Sequence, residues 1–404
     1  MNHVTENINC LACNSSNIKT ALDLGMQPLA NAYKNSADEP ESQYPLAVAL
    51  CHDCYHLQLT HSVDPAIIYR NYLYATGTNQ TIQDYSNWFA AWCQEYSGYP
   101  STVLDIGCND GTQLNYFKKF GIKTYGIDPA ENLHTLSSVN HDVVCDFFGP
   151  SAVDKLKDVD YDIIIAQNVC AHNPNPLNFI KSCNELMSNH TLLFIQTSQA
   201  DMVLNNEFDT IYHEHINFFN ANSMAKLAKQ AGLYLIDVIK TPIHGNSYIF
   251  VLSCNNQRPY HVTNIVDMEA RAGLMDVSKY QDWERTVHLN VNDLIQTVTT
   301  FRNDGYTIVG YGAAAKGNTL LNFSKIKLDF IIDDSALKQG KFTPGTSCPI
   351  VSIKELQKYS NTDKILFVPL AWNFFAEIKN RIQSVRSNSI DRFIQYFPKV
   401  KIHK

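Results

Sequence analysis

The sequence has no apolar run near the roughly 20 residues that cross a bilayer. Its longest such stretch, at 162–166, reads as a buried strand. The first residues lack the charged-then-apolar pattern of a secretory signal. No membrane partner is therefore expected, and the location expected is cytoplasmic. Basic charge is also short, with 32 Lys and Arg against 39 Asp and Glu and a net charge of −7. That deficit argues against a reader of phosphate backbones, so no nucleic-acid partner is expected. A nucleotide-linked small molecule needs only local donors and stays open. Internal repeats and low-complexity tracts are missing as well. Hydrophobic residues make up 45% and charged residues 18%, a globular balance that excludes wholesale disorder. At 404 residues the chain exceeds one ordinary core, so two or three domains are expected.

Cysteine, by contrast, is plentiful, with eleven in all. Cys10 and Cys13 form one C-x2-C pair, and Cys51 and Cys54 another after residues 14–50. In a reducing compartment such pairs point to a metal rather than to disulfides. Four thiolates satisfy tetrahedral Zn²⁺ and leave no open position, so the zinc expected here is structural. The other seven cysteines are dispersed and suit core packing.

From about residue 100 to 255 strands and helices alternate. Strands are predicted at Thr102–Ile106, 124–127, 161–166, 191–196, 233–240 and Ser247–Ser253. The first four are short β-rich runs bounded by turns or helix, the βαβ signature of a mostly parallel sheet. A second alternation begins at Thr307–Tyr311 and continues at 328–332 and 364–368. The expected domains are 1–62 (zinc), 63–97 (an aromatic-rich helical linker or lid), 98–255 (α/β), 256–303 (a long helical linker) and 304–404 (a smaller α/β unit).

The strongest motif of the middle domain is Val103-Leu-Asp105-Ile-Gly107-Cys-Asn109-Asp-Gly111-Thr112. An apolar strand runs into glycines and a helix start, where backbone N–H groups are free. A dinucleotide site would need G-x-G-x-x-G. Here the glycines are wider apart, and Asp105 stands two residues before the first. An anion at that point suits a cationic amino-acid ligand, not a diphosphate. Tyr125-Gly-Ile-Asp128 ends the next strand with an acid of the kind that accepts from ribose hydroxyls. Asp146-Phe147-Phe148 should follow a third strand and flank an adenine edge. Together these residues resemble the class I S-adenosylmethionine methyltransferases. The resemblance implies a donor pocket of Asp105, Gly107, Asn109, Asp128, Asp146, Phe147 and Gln167.

Three further stretches carry chemistry. Tyr72-Leu-Tyr74-Ala-Thr-Gly-Thr78-Asn79 precedes the middle domain, and Tyr212-His213-Glu214-His215-Ile-Asn-Phe-Phe219 follows its fourth strand. If the second stretch is extended, Tyr212 and Glu214 share one face and the two histidines the other, unless a turn gathers them. A His-Glu-His run offers metal ligands, but zincins need i,i+4 histidines on a helix. The third is Gly310-Tyr-Gly-Ala-Ala-Ala-Lys316-Gly-Asn318, a strand, glycine turn and helix start whose N–H groups and Lys316 suit a diphosphate. Asp333-Asp334 ends the next strand like the ribose acid of an NAD site, but the G-x-G-x4-G spacing departs from that fingerprint.

In this order, across nearly the whole chain, these motifs resemble the sugar C-3 methyltransferases of the mycarose/tetronitrose type. The resemblance implies an N-terminal zinc domain, a central Rossmann-like methyltransferase domain and a smaller C-terminal Rossmann-like α/β domain that helps hold a nucleotide sugar. It implies S-adenosylmethionine and structural Zn²⁺ as cofactors, and a monomer. It points to His215 as the base that removes the C3 proton of a 4-keto-6-deoxy sugar carried on dTDP or GDP. Glu214, Tyr74 and Tyr212 would orient the sugar or hydrogen-bond the oxyanion. Tyr72, Thr78, Asn79, Lys316 and Asn318 are the expected substrate contacts. His172, in Cys170-Ala-His172-Asn-Pro174, follows a strand at the sheet edge where α/β folds bind ligands, and would bind the sugar or stabilise the enolate. Three other functions stay open: methylation of O or N on a small molecule, a non-catalytic zinc and Rossmann binding module, and an NAD-dependent epimerase or dehydrogenase on the C-terminal unit.

Overall fold

The segment Thr102–Ile106 (β1) is buried from Val103 onward. Such near-continuous apolar strands belong in sheets covered on both faces. In the computed structural model, which describes residues 3–69, 80–198, 201–387 and 389–404, β1 is an inner strand of a seven-stranded sheet. Its companions are Lys123–Asp128 (β2), Asp142–Cys145 (β3), Ile163–Gln167 (β4), Leu192–Ser198 (β5), Tyr234–Thr241 (β6) and Ser247–Ser253 (β7). The spatial order is β3-β2-β1-β4-β5-β7-β6. Pairings from β3 through β5 are parallel, and β7 is antiparallel to both β5 and β6. The C-terminal ends of β1, β2 and β4 therefore share one edge, where such sheets bind ligands. The strand that the motif Asp146-Phe147 was expected to follow is β3.

The helix Gln80–Tyr96 covers one face of this sheet. Its buried residues Ile82, Ser86, Phe89, Ala90 and Cys93 fall at helical spacing. Phe89 lies edge-on to Phe117 and Phe194, with ring centroids 6.5 Å from each. Burying such a side chain contributes about 1.5–3 kcal/mol.

The chain forms two compact units. The first comprises Met1–Lys19, Ala49–Ala200 and Glu214–Met275; the second comprises Thr20–Val48, Asp201–His213 and Asp276–Lys404. In the first unit the knuckle segments join the sheet domain. There Val4–Glu6 pairs antiparallel with His61–Val63, and Leu57–Leu59 pairs antiparallel with Asn217–Phe218.

The second unit holds a six-stranded sheet. Thr307–Tyr311 (β8) lies between Phe330–Ile332 (β9) and Ile365–Pro369 (β11), with Ile350–Val351 (β10) beyond β9 and Arg392–Gln395 (β12) and Lys401–His403 (β13) beyond β11. Only the β12–β13 pairing is antiparallel among these described strands.

The long helical linker expected over 256–303 is corrected. Pro259–Arg271 is one helix and Val277–Asn303 another. Gly273 at φ 95° breaks the run, and Asp276 caps the second helix by accepting from the Ser278 N–H. Tyr280, Trp283, Val287, Val291, Leu294 and Val298 are buried at helical spacing, so this helix is part of the second unit's core. Among the described residues no helix is long and apolar enough to cross a membrane.

Candidate active site

The knuckle cysteines converge. Cys10 and Cys54 Sγ atoms lie 3.5 Å apart, those of Cys13 and Cys51 3.6 Å apart, and all four lie within 4.8 Å of one another. A tetrahedron with Zn–S bonds of about 2.3 Å has edges near 3.8 Å, so the four thiols fit that ion. Leu11 N–H donates to Gln58 Oε1 at 2.7 Å, and Asn14 N–H closes the first knuckle on the Cys10 carbonyl.

At the ligand edge of the seven-stranded sheet, Gly107 leaves β1 at φ 76°, and its N–H donates to the Ile127 carbonyl at 2.7 Å. A Cβ at Gly107 would stand 2.4 Å from Val169 Cγ2, so no larger residue fits this turn. Asn109, at φ 52°, gives its N–H to Asp128 Oδ2 at 2.9 Å, and Ala130 N–H takes Oδ1 at 2.8 Å. Asp128 thus welds two turns together while burial raises its pKa. Asp105 is deeper still. Burial first, and the Asp128 charge second, push its pKa well above the carboxylate range. A buried carboxylate under this strain is a natural partner for a cation such as the α-ammonium of S-adenosylmethionine. Gln167 ends β4 and donates to Gln113 Oε1 at 3.0 Å.

Two members of the expected pocket differ in character. Asp146 is ion-paired to Lys155 at 2.6 Å and accepts from the Phe147 N–H at 2.8 Å, so its carboxylate is already engaged. Phe147 is exposed at the rim.

Beyond β4 a short 3-10 turn, Cys170–His172, carries His172. Its ring lies 5.0 Å, centroid to centroid, from that of His215, tilted by 37°. Burial pushes the His172 imidazole down to about 4, so it is neutral at ordinary pH. Glu214 and His215 are both buried. The Tyr-His-Glu-His run is not extended; it bends at Tyr212 and turns through His213 and Glu214. The two histidines consequently have separate surroundings. His213, in the second unit, packs edge-on against Tyr44 at 5.8 Å, while His215, in the first, faces His172. Tyr72, Tyr74, Thr78 and Asn79 lie outside the described residues.

In the second unit the glycine turn after β8 is used for packing. A Cβ at Gly317 would stand 2.7 Å from Leu370 Cβ, and one at Gly312 would stand 3.1 Å from the Ala371 Cβ. Lys316 lies over the Trp372 ring at 5.0 Å. It also eases the burial of Glu207 and Asp209, which burial raises to about 7 and about 6. Asn318, expected to meet substrate, is instead buried, with its side-chain amide donated to the Ala30 carbonyl. Asp333, expected to resemble a ribose acid, accepts from the N–H groups of Ala313 (2.7 Å) and Ser335 (2.8 Å).

Sequence reasoning missed Asn217 and His56. Both are fully buried and joined at 3.1 Å beneath the second knuckle. The available signal was an asparagine inside the apolar run that follows His215.

Known families match in three consecutive pieces. Residues 10–69 match a zinc binding domain, 80–238 a methyltransferase domain, and 242–398 a C-methyltransferase C-terminal domain. The chain is 26% identical over 411 residues to the C-methyltransferase NovU of Streptomyces niveus, covering 97% of this chain and 96% of that protein. Over 151 residues it is 26% identical to a ubiquinone biosynthesis O-methyltransferase of Hydrogenovibrio crunogenus, covering 33% of this chain and 62% of that protein. Among solved structures, the magnesium protoporphyrin IX methyltransferase ChlM of Synechocystis PCC 6803 with bound SAM aligns at 15% identity and a TM-score of 0.33. That alignment covers 43% of this chain and 79% of that one.

Proposed function

We propose, for a chain that is an S-adenosylmethionine-dependent C-methyltransferase with an N-terminal zinc domain, a methyltransferase core and a C-terminal α/β domain, that its acceptor is carbon 3 of a nucleotide-linked 4-keto-6-deoxy sugar. The observation that carries this reading is the pairing of half-buried His172 with buried His215 in the donor-binding unit, ring centroids 5.0 Å apart. Methylating carbon requires a carbon nucleophile. A ketone makes one available by acidifying the hydrogen on its neighbour, and imidazole is well matched to removing it near neutral pH.

In this reading His215 takes the C3 proton, and the C–H electron pair moves into an enolate with negative charge on O4. His172, kept neutral by burial, donates a hydrogen bond to that oxygen. Donors aimed at developing charge are usually the largest catalytic term. Glu214 orients the sugar or His215, and the phenols of Tyr74 and Tyr212 supply further donors to the oxyanion. Asp105, Gly107, Asn109 and Asp128 hold S-adenosylmethionine, with Gln167, Asp146 and Phe147 at the rim. When bound there it supplies the electrophilic methyl group. Lys316 serves the nucleotide diphosphate.

The test uses zinc-loaded protein, a donor carrying a ¹³C-methyl group and a panel of dTDP- and GDP-4-keto-6-deoxy sugars. The label is expected on C3, read by carbon–proton correlation spectra. A label on C5, the other carbon beside the ketone, would preserve the enolate chemistry and overturn the position. A label on oxygen or nitrogen, or no transfer to any sugar, would overturn the acceptor.

A further inference from the structure

The His172–His215 pair is held by a side chain that the reaction does not use. Asn217 stands two residues beyond His215 and is fully buried. Its Nδ2 donates to the carbonyl of Asn173 at 2.8 Å and, more weakly, to that of Ala171 at 3.4 Å. Those two carbonyls bracket His172. The Ile216 N–H adds a bond of 2.9 Å to the Ala171 carbonyl. One asparagine thus ties the segment bearing His215 to both sides of the segment bearing His172.

The same amide reaches the knuckle. Carbonyl oxygens only accept, so Nδ2 must face residues 171 and 173, and Oδ1 must face His56. The His56 Nε2 at 3.1 Å therefore carries the proton and donates. The His56 ring also packs on Phe219, centroids 4.7 Å apart, and its own carbonyl accepts the Cys51 N–H at 2.9 Å. The grip continues along the chain after His215. Asn220 Nδ2 donates to the Tyr55 carbonyl (2.7 Å), Asn222 Nδ2 to the Cys54 carbonyl (2.9 Å), and Lys226 Nζ to the Asp53 carbonyl (2.6 Å). Asn220 also caps the helix Ala221–Gln230 in a reciprocal box with Ser223. The second knuckle is therefore bonded, residue after residue, to the segment that starts just past His215. All of these groups belong to the first unit.

We propose that Asn217 is the positioning residue of the His172–His215 pair, and that through His56 it makes the second cysteine knuckle the platform on which that pair is set. The inference rests on the catalytic reading of the two histidines given above. A side chain locked by buried hydrogen bonds holds a neighbour to the fraction of an ångström that proton transfer requires. Asn217 touches neither substrate nor donor in this account.

The experiment compares Asn217→Ala, His56→Phe and His56→Gln with the native protein, all zinc-loaded. His56→Phe keeps a ring against Phe219 and removes the donor; His56→Gln restores an N–H. For Asn217→Ala, kcat is expected to fall by about 10–100-fold, while KM and the donor Kd move less than about threefold. Zinc content should remain one per chain. In histidine-labelled protein the imidazole signals of His172 and His215 are expected to shift. His56→Phe should reproduce the effect in part and His56→Gln should recover it, and His56→Phe carries the test if Asn217→Ala does not fold. Unmoved imidazole signals, or kcat and donor affinity lost in equal proportion, overturn the assignment. Should native protein methylate none of the sugars while the signals still shift, the positioning role stands and the acceptor reading fails.

Discussion

Asp105 is the residue on which the proposed donor site can be tested most simply. It is buried at the end of β1 beside Asp128, and desolvation pushes its pKa well up. A nearby cation offsets that penalty and favours the charged carboxylate. Replacing it with Asn keeps the shape and removes the charge. Asp105→Asn should weaken S-adenosylmethionine binding by about 1.5–3 kcal/mol, or roughly 10–100-fold, the worth of a hydrogen bond to a charged group. Calorimetric titration measures it, and an unchanged Kd would mean the donor amino group lies elsewhere.

His213 makes the opposite case, a histidine inside a motif whose environment is packing. Its ring is buried edge-on to Tyr44, and burial holds its imidazole down to about 4. In the unfolded chain it titrates near 6.5. The unfolded state therefore binds more protons between those values. The stability this residue contributes is present above pH ~6.5 and is lost as pH falls toward 4. His213→Phe should gain stability on the native protein by about 1.4 kcal/mol for each pH unit lowered through that window. Urea unfolding at a series of pH values reads the difference, and a difference that does not vary with pH contradicts it.

At the scale of elements, the knuckles and several strands of the seven-stranded sheet were legible, because short-range patterns specify them. Two C-x2-C pairs need only their spacing to suggest four converging thiols. Thr102–Ile106 and Ser247–Ser253 were found with the same bounds, as buried strands announce themselves by composition. The break at Gly273 was hidden because the flanking residues keep a helical pattern. A single glycine at positive φ decides where one helix stops. The roles of Asn318 and His213 were hidden for a different reason. Each lies in a motif dense with polar residues, and only tertiary placement separates a side chain that packs from one that reacts. His56 and Asn217, whose residues lie 161 apart in sequence, exchange one hydrogen bond that no local pattern announces.

The knuckles also give an element-scale prediction. A closed four-cysteine site binds its metal with about 10–16 kcal/mol in small zinc domains, and that energy is folding energy. Stripping zinc with a strong chelator should release about one ion per chain and lower the melting temperature by roughly 5 °C or more. Equal melting with and without metal would remove the structural role.

For the molecule as a whole, the chain interleaves its segments, so that residues 20–48 and 201–213 fold with the C-terminal sheet rather than with their neighbours in sequence. The boundary falls between His213 and Glu214, inside the motif that best marks the chemistry. Within the first unit the arrangement brings together a buried acid near the C-terminal end of β1, a neutral imidazole beyond β4, and a second imidazole beside it.

Removal of the C3 proton by His215, the base in the proposed mechanism, can be followed by hydrogen exchange without methyl transfer. Zinc-loaded protein is held in D₂O with S-adenosylhomocysteine and a nucleotide-linked 4-keto-6-deoxy sugar, and the C3 proton signal is followed by NMR. The native protein should wash that proton out, and His215→Ala should slow the loss by about 10²–10⁴-fold, the usual contribution of a general base. Exchange at equal rates in the two proteins, or none at C3 in the native one, would contradict the claim.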